Sequence, residues 1–153
     1  LTESELADAP RILIVTSRYY AHITAELEAG VVEGLDKVGA THEFLEVPGA
    51  FEIPGAIAMA AQTGEWDGFV ALGCVIRGET SHYDLICEQV AHGLMELSIS
   101  GVPLGFGVLT VENEEQAKVR ADRKQKNKGA EVVAAVLRMV GLSYRFNKGA
   151  ENE

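Results

Sequence analysis

A chain of 153 residues with a net charge of −10, 47% hydrophobic and 24% charged, is long enough to close one hydrophobic core. It is too acidic for a general nucleic-acid or membrane-surface binder, each of which needs a basic face. Two cysteines without metal-ligand spacing read as reduced core residues of a cytoplasmic protein rather than a disulfide, and no apolar run reaches the roughly 20 residues of a membrane-spanning helix.

Residues 1–10 (LTESELADAP) read as a flexible acidic arm, unlike a signal peptide. Arg11–Ser17 (RILIVTS) is an unbroken run of β-formers, as in a strand buried on both faces, and Arg18, Tyr19 and Tyr20 follow as a loop. From His22 to Val38 apolar residues recur at helical spacing (Ile23, Leu27, Val31, Leu35), with Gly39 placed to end the helix. Thr41–Val47 is a second strand with some alternation. Pro48 and Gly49 turn the chain into a helix over Ala50–Gln62, which accommodates Pro54 in its first turn; Gly64 ends it. Trp66–Ile76 (WDGFVALGCVI) is a longer buried strand that holds Cys74. Gly78 breaks it, Thr80 and Ser81 are candidate N-caps, and from His82 the apolar face Leu85, Ile86, Val90 and Leu94 recurs at helical spacing, with Cys87 on its core side. Pro103–Val111 is a fourth strand. Asn113 caps the next helix with Gln116 in capping-box position. Lys128–Gly141 is a final amphipathic helix, and residues 143–153 read as a polar C-terminal tail.

Strands alternating with helices, without repeat or linker, predict a single domain over 1–153: a flavodoxin-like three-layer α/β sandwich, a four-stranded parallel sheet with helices on both faces. Ligands of such sheets bind outside the carboxyl ends of the strands, which selects four loops: Arg18–Tyr20, Pro48–Glu52, Arg77–His82 and Thr110–Asn113. The first carries two tyrosines able to stack on a planar ring. The second, in VPGAFEIP, brings backbone close to a ligand and sets Phe51 and Glu52 at a helix start, where the dipole alone also favours a carboxylate. The third leads a strand through a glycine turn into a helix N-terminus, whose unpartnered N–H groups suit an anion, and places His82 beside it. The same residues also make an ordinary βα turn with a surface histidine, and this stretch alone does not separate the two. Six of the thirteen basic residues, Lys118, Arg120, Arg123, Lys124, Lys126 and Lys128, crowd into eleven positions, as a solvated helix face or as a phosphate-holding cluster.

Walker A, GxGxxG, GxSxG and HExxH motifs are all absent, and TSRYYAHIT lacks the Ser/Thr/Gly-rich cradle of a flavodoxin. Instead VPGAFEIP, GCVIRGETSHYD, FGVLTVEN and NKGAEVV, in that order and spacing, resemble the 6,7-dimethyl-8-ribityllumazine synthase family over nearly the whole chain. The resemblance implies a transferase of riboflavin biosynthesis. It would condense 5-amino-6-(D-ribitylamino)uracil with 3,4-dihydroxy-2-butanone 4-phosphate without metal or organic cofactor. It also implies self-association as a homopentamer or a sixty-subunit icosahedral assembly, with riboflavin synthase as a candidate partner and no nucleic-acid or membrane partner.

Carried over residue by residue, the resemblance makes His82 the catalytic histidine and Tyr19 the platform under the pyrimidine. Ala50, Phe51 and Glu52 would hold the pyrimidine and ribityl chain, and the backbone of Cys74, Val75 and Ile76 would read the ring edge. Glu79 and Thr80 form the phosphate turn. Phe106 completes a neighbouring subunit's pocket, Arg120 binds phosphate and Lys128 meets the ligand's polar edge. The sequence departs from the family pattern at Tyr19, usually Phe or Trp, and at Tyr20, usually Asn. A flavin- or nucleotide-binding module without catalysis and a purely structural shell protein are the alternatives from other classes.

Overall fold

In the computed structural model β1 (Arg11–Ser17), β2 (Thr41–Val47), β3 (Gly68–Ile76) and β4 (Leu104–Val111) pair in parallel in the order β2-β1-β3-β4. Backbone is described for residues 9–151 and side chains for 9–147; all but the last two residues of the expected arm lie outside them. Pairing β1 with both β2 and β3 reverses the direction in which strands are added, which opens a crevice at their carboxyl ends.

The sheet explains why two of the apolar runs are uninterrupted. β1 and β3 are central and covered on both faces, so both alternating sets must be apolar. Ile12 and Ile14 of β1, with Val70 and Leu72 of β3, face α1 (Ala21–Lys37), α4 (Glu114–Ala121) and α5 (Lys128–Glu151). Leu13, Val15, Phe69 and Ala71 face α2 (Ile53–Ala61) and α3 (His82–Ile99). Truncating a fully buried member of either core, Leu72→Ala for example, costs roughly 2–5 kcal/mol. β2 is an edge strand and most of it is exposed, which its mixed sequence THEFLEV tolerates.

Most helix boundaries follow local chemistry. Gly39, at φ +72°, closes α1: its N–H donates to Asp36 O and that of Ala40 to Leu35 O. Asn113 caps α4 through its Oδ1, which accepts from Gln116 N at 2.9 Å. The reciprocal bond is shifted by one residue, since Gln116 Oε1 accepts from Glu112 N at 2.8 Å rather than from the cap's own N–H.

Three expectations change. The helix expected over Ala50–Gln62 begins as a 3₁₀ turn, Ala50–Glu52, before α2. Pro54 has no N–H to bond the carbonyl of Ala50, so the chain there closes more tightly. The third strand begins at Gly68 rather than Trp66. The tail expected over 143–153 continues α5 as far as Glu151, its last two residues lying outside the described ones. Gly141 weakens a helix interior by about 1 kcal/mol relative to Ala, too little to end a helix already propagating along a packed face. No described helix is long and apolar enough to cross a membrane.

Candidate active site

Three of the four loops converge at the carboxyl ends of β1, β2 and β3 around an open groove of about 730 Å³. Its first wall is the β1–α1 loop. Tyr20 opens α1 by accepting from Ile23 N and Thr24 N on its carbonyl, and its half-buried ring packs on the α1-side core. Burial, then the neighbouring Tyr19, Cys74 and Glu114, pushes its phenol pKa up, which keeps a hydrogen-bond donor at the wall. Tyr19 is 78% exposed and meets Tyr20 edge to face, with centroids 5.1 Å apart. The second wall is Pro48–Glu52. Phe51 is 58% exposed, and a Cβ added at Gly49 would lie 3.2 Å from Glu52 Oε2, so glycine there lets the carboxylate fold back over the turn.

Cys74, Val75 and Ile76 line the groove from the end of β3. Burial, with a smaller contribution from Glu114, pushes the Cys74 thiol up to about 11, so it is protonated near neutral pH and a poor nucleophile. The third wall is the start of α3, where His82 lines the groove with Leu85 and Ile86. Of the two candidate caps, Ser81 occupies the N-cap position without a side-chain bond, and Thr80 Oγ1 accepts from His82 N at 3.3 Å. Arg77 braces the base of this turn. Its Nε donates to Glu112 Oε2 at 2.6 Å, its Nη1 to Asp84 at 3.4 Å, and its guanidinium lies 4.4 Å from the Tyr83 ring centroid. His82 N donates to Thr80 Oγ1, and the imidazole itself has no hydrogen-bond or ion-pair partner among the described residues.

The groove gathers His82, Tyr19, Ala50, Phe51, Glu52, Cys74, Val75 and Ile76. The other five predicted residues do not line it. Glu79 and Thr80 are exposed in the turn directly before His82. Phe106 lies on β4, opposite Ala71 and 42% exposed. Arg120 projects from α4 with its Nη1 donating to Gln116 O at 3.0 Å, and Lys128 at the start of α5 pairs with Glu131 at 3.1 Å. Three lining residues, Ser17, Leu85 and Ile86, lie outside both the loops and the site residues read from the sequence. Leu85 and Ile86 were assigned to the core face of α3, yet Leu85 is 54% exposed at the groove. Their spacing of three and four residues from His82, on one helix face with it, was the available signal.

The basic run is neutralised in part: Lys118, Arg123 and Lys128 form ion pairs, whereas Arg120, Lys124 and Lys126 form none among the described residues. A cleft of about 820 Å³ between α1 and α4 is lined by Lys118, Arg123 and Lys124 together with Glu26, Glu33 and Asp122. Arg123 is bonded to Glu26 at 2.9 Å and to Glu33 at 3.4 Å. Among the described residues no group of three or more His, Cys, Asp or Glu side chains is placed to hold a metal ion.

A family model described as 6,7-dimethyl-8-ribityllumazine synthase matches residues 9–143, which include the whole sheet and all three walls of the groove. The chain belongs to that family. Curated relatives bearing the same name agree along nearly their full length. The protein of Sphingopyxis alaskensis is 49% identical over 138 residues, covering 90% of this chain and 98% of the relative. That of Erythrobacter litoralis is 49% identical over 136 residues (89% and 97%), and that of Zymomonas mobilis 46% over 137 residues (90% and 99%). As a lumazine synthase family member, the chain is a transferase of riboflavin biosynthesis, which displaces the readings as a non-catalytic module or an inert shell. The flavodoxin-like α/β arrangement is consistent with that lumazine synthase family.

Proposed function

We propose that the groove is where this chain condenses 5-amino-6-(D-ribitylamino)uracil with 3,4-dihydroxy-2-butanone 4-phosphate, with His82 as the proton-transfer group. The observation that carries this is the convergence of aromatic faces, strand-end backbone and an uncommitted imidazole in one groove at the switch point of the sheet. Tyr19 offers a ring for stacking on the pyrimidine, the ends of β3 offer backbone groups to its edge, and Glu52 offers an acceptor to the ribityl hydroxyls. The 5-amino group adds to the ketone and loses water to form an imine. Phosphate then leaves by β-elimination, and the ribitylamino nitrogen closes the second ring with loss of a further water. Each step moves a proton near neutral pH, which suits a histidine as general base and acid. Holding two substrates in register supplies much of the acceleration.

The departing phosphate needs N–H donors and a cation. The turn at Glu79–Thr80 offers backbone donors beside His82, but the guanidinium of Arg120 belongs to a different part of the same chain. A second copy resolves this: Phe106, Arg120 and Lys128 of one subunit complete the groove of its neighbour. An exposed aromatic on an edge strand and an arginine with no ion pair among the described residues support that arrangement. The working unit is then a cyclic homopentamer or a multiple of it, a cytoplasmic enzyme whose product passes to riboflavin synthase. Mixing the two substrates with the protein and following the fluorescent lumazine tests the reading. No product at any protein concentration would overturn it.

A further inference from the structure

Glu28 is the only buried acidic side chain among the described residues, 9% exposed on the inner face of α1. Burying a carboxylate is costly unless a cation and hydrogen bonds satisfy it. Its partner is Arg18, whose Nη2 donates to Glu28 Oε1 at 2.7 Å and whose Nε lies 3.2 and 3.3 Å from the two oxygens, a fork geometry that one ammonium cannot reproduce. The same guanidinium reaches Glu46 on β2 at 3.3 Å and lies 5.7 Å from the Phe44 ring centroid. It therefore fastens the β1–α1 loop to α1 and to the end of the strand that leads into Pro48, joining two walls of the groove. Arg18 itself does not line the groove, and two carboxylates neutralise it, so it is poorly placed to serve as a ligand for substrate.

The residue after it is Tyr19. That ring is 78% exposed and its one ring contact is Tyr20. A side chain with so little packing of its own stands where its backbone puts it. That backbone is held on the helix side by the carbonyl of Tyr20, which caps α1, and on the strand side by Thr24 Oγ1 donating to Ser17 O and by the fork of Arg18. We propose that Arg18, locked to Glu28 and Glu46, is a positioning residue that holds Tyr19 in the orientation that stacks on the pyrimidine. It acts on one substrate of the two and through one side chain. This rests on the reading of Tyr19 as the stacking platform, and the two ideas fail differently.

The test measures the KM for each substrate, kcat and Tm in the wild type, Arg18→Gln, Arg18→Lys, Tyr19→Ala and the double variant Arg18→Gln/Tyr19→Ala. Arg18→Gln should raise the KM for ribitylaminouracil roughly tenfold, since a small misplacement of a positioning group has effects of this order or larger. The KM for the butanone phosphate should stay within about twofold, and Arg18→Lys should fall between wild type and Arg18→Gln. In the Tyr19→Ala background, Arg18→Gln should add nothing to the pyrimidine KM, the non-additivity expected of residues acting as a unit. A merely structural role would instead lower Tm and disturb both substrates alike. Equal effects with and without the Tyr19 ring overturn the positioning role while leaving the stack intact. A wild-type pyrimidine KM in Tyr19→Ala overturns the stack, and the positioning role with it. Should Arg18→Gln not fold, Arg18→Lys carries the same comparison in both backgrounds.

Discussion

Two of the depressions on the described surface are of similar size, and they differ in what their charges are doing. In the cleft between α1 and α4 the ionisable groups are largely engaged with one another: Arg123 holds Glu26 and Glu33, and at one end His22 Nε2 meets Glu114 at 2.6 Å. In the groove at the strand ends the walls are aromatic and apolar, and its polar groups, the imidazole of His82 and the carboxylate of Glu52, have no partner among the described residues. Each depression has a histidine in the first turn of a helix, His22 in α1 and His82 in α3. One is tied down and the other is free. A site for chemistry is marked by unengaged polar groups against a shaped apolar surface rather than by volume or by a count of charges.

The sharpest way to break that contrast is to remove each histidine in turn. His82→Ala should lower kcat roughly a hundredfold or more with assembly intact, the range general acid–base groups supply. His22→Ala should leave the rate within about twofold, because an exposed contact such as His22–Glu114 contributes little. Wild-type turnover in His82→Ala would end its assignment.

A second test separates two arginines of the same basic run. Arg120→Ala should raise the KM for the butanone phosphate roughly tenfold or more and leave that for the pyrimidine unchanged, with Arg120→Lys intermediate because the bidentate fork is lost. Arg123→Ala, which removes a guanidinium held by Glu26 and Glu33, should alter neither KM and lower Tm slightly. Equal losses for both substrates in Arg120→Ala would refute a phosphate-specific role.

The shared site can be examined by mixing subunits. Phe106→Ala and His82→Ala proteins, each impaired, should recover part of the wild-type rate once dissociated and reassembled together, and light scattering should give a pentamer or a multiple of five. A monomer active at high dilution would remove the shared site altogether. A last test bears on Cys74 at the end of β3. With burial raising its thiol to about 11, alkylation by iodoacetamide at pH 8 should run roughly a hundredfold slower than for a free cysteine, and accelerate as the pH climbs toward that value. Rapid loss of activity at pH 8, prevented by Cys74→Ser, would contradict this.

Local physics explains what was readable in the chain. β1 and β2 run between the residues expected, because an apolar or β-branched stretch bounded by proline, glycine or a polar loop needs no distant information to declare itself. The same holds for Gly39 behind α1 and Asn113 before α4, where one residue's backbone freedom or side-chain oxygen settles the boundary. β–α alternation then leaves few topologies, and the carboxyl-end rule selects four loops, three of which meet at the groove. The continuation of α5 past Gly141 was not readable, since a polar sequence carries no stop signal and no core signal either.

The sequence by itself determined the strands, their parallel sheet, the end of that sheet where ligands bind and the residue types that gather there. Only the tertiary structure decided which groups are free to act. Helical spacing marks Leu85 as apolar but does not say whether α3 turns it to the sheet or to the groove; that depends on how far α3 covers the sheet. The basic run from Lys118 to Lys128 looks cationic along the chain, yet Glu26 and Glu33, some ninety residues away on α1, neutralise its Arg123. The same limit hides Arg18, an unremarkable loop cation until Glu28 and Glu46 close on it. Propensity and periodicity act over a few residues, whereas burial and charge pairing are properties of neighbours in space, and the sequence does not order those by distance.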